Sequence, residues 1–100
     1  MTECYLVALD DDAEAPLLGT IVDISVRGML LETPDPIEVG TKLDLSFRLP
    51  RDPTDLRVVA QVIRQEPGEA GRARSGVEFL IVRESVRERI RAFVEGEPGR

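Results

Sequence analysis

The stretch from Thr41 to Leu49 constrains this chain more than any other. Leu43, Leu45, Phe47 and Leu49 alternate with Lys42, Asp44, Ser46 and Arg48. A period of two sends every apolar side chain to one face of an extended strand and every polar one to the other. The segment is therefore a half-buried strand with one face in a core. Pro50-Arg51-Asp52-Pro53 ends it, since proline fixes φ and offers no amide donor.

The neighbouring segments are built in the same way. Cys4 to Leu9 reads as a first strand, and Asp10 to Pro16 as a polar connection. Leu17 to Ile24 and Gly28 to Glu32 read as a hairpin-like pair, closed by Thr33-Pro34-Asp35-Pro36. Leu56 to Gln65 is valine-rich and long enough to bend around a closed sheet. Pro67 to Gly71 is a loop, and Ser75 to Val82 a strand with Val77, Phe79 and Ile81 on one side.

The C-terminal segment changes period. Val86, Ile90, Phe93 and Val94 form one stripe of an amphipathic helix over about 84–95. Ser85 and Glu88 stand at capping-box spacing, which starts the helix near Val86. Gly96 and Pro98 supply the stop. Short strands with Gly/Pro turns indicate a small barrel, and the helical stripe covers its open end. A fully buried Phe93 cut back to alanine would cost about 3–5 kcal/mol.

At 100 residues and 42% hydrophobic content, the chain makes one domain over 1–100. No apolar run reaches the roughly 18 residues of a membrane span, and no secretory signal is visible. Cys4 is the single cysteine, so no intrachain disulfide forms, and a cytoplasmic setting is expected. Cys4 lies beside Leu6 and Ala8 with no cation near it in sequence, which makes it a packed thiol. Histidine is absent, which removes Ser-His and Cys-His pairs, and one cysteine builds no thiolate metal site. The chain is not expected to be an enzyme, and no metal or cofactor is expected. Asp10-Asp11-Asp12 reads as a solvated loop, with weak binding of a hard cation as its alternative. The net charge of −6 argues against nucleic acid and anionic membrane as partners.

Between the second and third strands stands Asp23-Ile24-Ser25-Val26-Arg27-Gly28, the pattern Asp-x-Ser-x-x-Gly. Asp and Ser can bond the turn's own backbone, and Gly accepts a positive φ that side chains resist. The same groups, held rigidly at a barrel rim, can also meet a small polar ligand. Downstream follow Asp35-Pro36-Ile37-Glu38-Val39-Gly40-Thr41-Lys42-Leu43 and Ser75-Gly76-Val77-Glu78-Phe79. In this order and spacing, from about Tyr5 to Val94, the chain resembles the PilZ domain, a bacterial receptor module for cyclic di-GMP. The resemblance implies a six-stranded antiparallel β-barrel with a C-terminal α-helix packed at one end. It also implies that the turn meets the guanine and backbone of the dinucleotide.

One element of the resemblance is missing. PilZ receptors carry Arg-x-x-x-Arg ahead of the first strand, but the 22 residues before Asp23 contain neither Arg nor Lys. Residues 1 to 26 hold six acids and no base, while residues 27 to 100 balance 13 against 13. A charge-assisted hydrogen bond contributes about 1.5–3 kcal/mol, and each ~1.4 kcal/mol is tenfold in affinity. Losing two arginines is therefore enough to move a micromolar receptor toward millimolar. Arg27, Arg72 and Arg74 are the candidate substitutes, or else solvated side chains balancing nearby acids. A longer N-terminal segment would be another source of the pair. Arg83, Arg87 and Arg91 recur every four residues, a solvated face paired with Glu84 and Glu88 or a docking surface for an acidic partner.

Two functions from different classes fit. One is a divergent PilZ adaptor with impaired nucleotide binding, acting on a protein partner in bacterial cyclic di-GMP-linked regulation of motility, pili or exopolysaccharide. The other is a cyclic di-GMP receptor using Asp23, Ser25, Gly28 and the non-standard arginines Arg27, Arg72 or Arg74.

Overall fold

The computed structural model describes residues 2–9 and 16–96. Six strands and one helix follow in chain order: β1 (Thr2–Ala8), β2 (Leu17–Ile24), β3 (Gly28–Thr33), β4 (Lys42–Phe47), β5 (Leu56–Pro67), β6 (Ala73–Ile81) and α1 (Glu84–Glu95). The strands close into an antiparallel barrel in the order β1-β2-β3-β6-β5-β4. The acidic run Asp10-Asp11-Asp12 and Pro98 lie outside the described residues.

The alternation of β4 is realised as expected. Leu43, Leu45, Phe47 and Leu49 are all buried, although pairing stops at Phe47 and Leu49 fills the core from the loop. β1 and β2 bring Cys4, Leu6 and Ile21 inward, β3 Met29 and Leu31, and β5 Leu56, Val58, Ala60 and Val62. Each such side chain taken from water contributes about 1.5–3 kcal/mol before the entropy of ordering is counted. Thr33 and Ser75, the buried polar residues, are both satisfied. The Thr33 hydroxyl donates to the Asp35 carbonyl at 2.7 Å, and Gln65 Nε2 donates to Ser75 Oγ.

Three expectations need correction. In β6 the side chains of Val77, Phe79 and Ile81 do not share one buried face. The ladder passes from Val59–Ile81 to Ala60–Phe79, so Leu80 is an extra residue that breaks the period. Val77 is buried, Phe79 is half-buried and Ile81 is 65% exposed. The helix begins at Glu84, capped by the extended backbone of Arg83 with no side-chain bond, so Ser85 lies inside the first turn. Of the apolar stripe, Val86 and Ile90 are buried, while Phe93 is 39% and Val94 37% exposed. The core reaches only the first two turns of α1, and the last turn borders a cleft shared with Ile21, Ile24 and Leu49.

Arg89 ties the helix to the β4–β5 loop through Asp52, at 2.9 Å. Among the described residues this bond, rather than Glu84–Arg87 or Glu88–Arg91, is the ion pair of α1. The Thr54 amide, and then Arg89, hold the Asp52 carboxyl below the usual carboxylate range.

Candidate functional site

The turn between β2 and β3 is fastened by Ser25. Its hydroxyl donates to the Gly28 carbonyl at 3.3 Å and accepts the amides of Arg27 and Gly28, each at 3.3 Å. The Ser25 amide also donates to the Gly28 carbonyl, at 2.9 Å. Asp23 Oδ1 accepts the Ile24 amide at 3.0 Å. β6 anchors the far side, where the Phe79 amide donates to the Arg27 carbonyl at 2.8 Å.

Glycine is required at position 28, but not for a positive φ, which among the described glycines is found at Gly40 and Gly71. Gly28 lies against β6 so closely that a Cβ would sit 2.1 Å from the Val77 carbonyl oxygen. The missing side chain lets the turn press onto the neighbouring strand.

Two bulges shape the surface beside this turn. Between Ile21–Leu31 and Asp23–Leu30 the ladder skips Val22, which carries Asp23 to the exposed face. Between Val62–Val77 and Arg64–Gly76 it skips Ile63, which is 49% exposed. Bulges re-aim side chains in this way. Together they bound a cleft of about 370 Å³. Asp23, Ser25 and Arg27 line it from the turn, Ile63 and Arg64 from β5, and Gly76 and Glu78 from β6. The Arg64 side chain lies over Gly76, where a Cβ would meet it at 3.1 Å. Arg64 Nε also stands 3.6 Å from Glu66 Oε1.

Asp23, Ser25, Arg27 and Gly28 thus meet at one cleft. Arg72 and Arg74 do not join them: their Nε atoms lie 3.8 and 3.4 Å from the Glu32 carboxylate. Sequence reasoning missed Arg64, Ile63 and Glu78. The signal for the first two lies in the break of alternation after Val62, where apolar Ile63 stands out of phase before Arg64.

Asp23 also borders a second cleft of about 520 Å³, lined by Ile21, Ile24, Leu49, Phe93 and Val94 among others. Cys4 is fully buried, and burial pushes its thiol up to about 12, the state of a packing residue rather than a nucleophile. On α1, Arg83 is exposed while Arg87 and Arg91 are half-buried. Among the described residues no cluster of three or more His, Cys, Asp or Glu could hold a metal ion. No helix among them is long and apolar enough to cross a membrane.

The molecule is thus a small closed antiparallel β-barrel with a C-terminal helix and a cleft of about 370 Å³ at the Asp-x-Ser-x-x-Gly turn. The PilZ domain family matches residues 2–96, and the chain belongs to that family. Among solved structures it is similar to the Bacillus subtilis inhibitor of motility MotI/DgrA, with TM-score 0.73 and 16% identity. That match covers 92% of this chain and 44% of the other, so the chain spans less than half of that protein. It is also similar to the PilZ domain of Escherichia coli YcgR with c-di-GMP, with TM-score 0.69 and 16% identity, covering 95% of this chain and 79% of the other. No curated protein sequence matches it.

Proposed function

We propose that this domain is a non-catalytic, cytoplasmic PilZ adaptor that binds cyclic di-GMP weakly and acts through a protein partner. The charge balance of the cleft carries this reading. Arg27 and Arg64 are offset there by Asp23 and Glu78, while the ligand is a dianion. Two unopposed arginines would contribute several charge-assisted hydrogen bonds, each about 1.5–3 kcal/mol. Here two carboxylates on the same walls repel the phosphates those arginines would attract. Ser25, whose counterpart in the resembled receptors meets the ligand, spends its hydroxyl on the turn.

Support for a protein partner comes from the opposite side of the barrel. Tyr5 and Leu18 are register partners on the outer face of β1 and β2, with Val7 two residues along. They are 52%, 44% and 37% exposed, an apolar row of the kind that marks contact surfaces. The MotI likeness, with its inhibition of motility, makes a motility pathway the first place to look.

A receptor is the second reading, favoured by Arg64, which spans Gly76 at the cleft and supplies a cation that the motif comparison lacked. Isothermal titration of the purified chain with cyclic di-GMP at low ionic strength separates the two. The adaptor predicts no saturable heat below high-micromolar ligand. Micromolar binding, lost in Arg64→Ala, would establish the receptor instead.

A further inference from the structure

We infer that Glu32 is a specificity-determining residue of the cleft, withholding Arg74 from anionic ligands. The idea deepens the proposed weak nucleotide binding and rests on it.

The strand registers put the relevant residues in two adjacent rows on the outside of β3, β6 and β5. Leu30, Gly76 and Arg64 form the row that lines the cleft. Glu32, Arg74 and Glu66 form the next row, two residues farther along each strand. Two residues of extended chain are about 6.6 Å, a distance that an arginine side chain spans. Arg74 therefore stands within reach of a ligand in the cleft and is held back from it.

Glu32 does the holding. Its side chain is only 16% exposed, and Oε2 accepts the Arg74 Nε–H at 3.4 Å and the Glu69 amide at 3.3 Å. Oε1 faces Arg72 Nε at 3.8 Å. The β5–β6 hairpin covers the site so tightly that a Cβ on Gly68 would come within 2.8 Å of Oε2. Arg74 thus has carboxylate residues as register partners on both sides, Glu32 and Glu66. A phosphate approaching the cleft carries negative charge as Glu32 does, and it must compete for an Arg74 whose Nε is already engaged and whose charge is already offset. It meets only Arg64 of the first row and Arg27 of the turn.

Replacing Glu32 by glutamine removes the charge but keeps an oxygen that can accept the Glu69 amide, so the hairpin stays closed while Arg74 is released. The test is titration of cyclic di-GMP, taken to millimolar ligand, into the wild-type chain, Glu32→Gln and Glu32→Gln/Arg74→Ala. Glu32→Gln is expected to bind at least tenfold tighter than wild type, and removal of Arg74 to bring affinity back within threefold of it. A Glu32→Gln variant that binds no better, or a gain that survives without Arg74, overturns the inference. Glu32→Thr, a residue that strands accept, carries the same comparison should the glutamine variant fail to fold. Micromolar binding by wild type would remove the adaptor reading alone, because the ratio between variants still decides the role of Glu32.

Discussion

Gly28 and Ser25 share one turn yet do different physical work. A methyl group at 28 has no room, because the Val77 carbonyl already occupies its place and belongs to strand backbone that cannot step aside. Gly28→Ala should therefore cost about 3 kcal/mol through forced separation of β3 from β6. Ser25→Ala removes hydrogen bonds that water at this exposed turn partly replaces, and should cost about 1 kcal/mol. Urea denaturation of the two variants beside wild type checks both the order and the gap. Asp23, Ser25 and Gly28 were legible in the sequence because turn chemistry is local. The reason for Gly28 was not, because the atom it avoids comes from a strand far along the chain. The same holds for Arg72 and Arg74: their number and charge can be read directly, but Glu32 becomes their partner only when β3 and β6 pair.

At the scale of elements, α1 separates residues that a helical wheel groups together. Ile90 is completely buried and Phe93 is more than a third exposed, although both belong to the same stripe. Ile90→Ala should cost about 2–5 kcal/mol, and Phe93→Ala only about 1 kcal/mol, reversing what ring size alone suggests. Thermal melts of the two variants give the comparison. The period correctly located the helix, but it carries no record of where the barrel rim ends. Strand positions were legible for a similar reason, since burial on one face enforces alternation. The bulges at Val22, Ile63 and Leu80 were harder to foresee, each being an offset between two strands rather than a property of one.

The whole molecule depends on pairings between segments distant in sequence. β3 meets β6, and β1 closes against β4, so the entropy of bringing distant segments together must be overcome before the barrel shuts. Barrels with such topology fold over about milliseconds to seconds, and stopped-flow refolding should fall in that range rather than in microseconds. The architecture was legible from strand count, turn spacing and the terminal amphipathic segment, whereas the neighbour order β1-β2-β3-β6-β5-β4 was not, because periodicity records no pairing between strands. Closure has a further consequence for recruitment. Among the described residues each strand has a hydrogen-bonded neighbour on both sides over part of its length, so little open edge is left to an incoming chain beyond the far half of β5. The proposed protein partner of this domain would be chosen chiefly by side chains on the domain's outer faces or on the last turn of α1. Its interaction range can therefore be rewritten by surface substitutions, leaving the scaffold untouched.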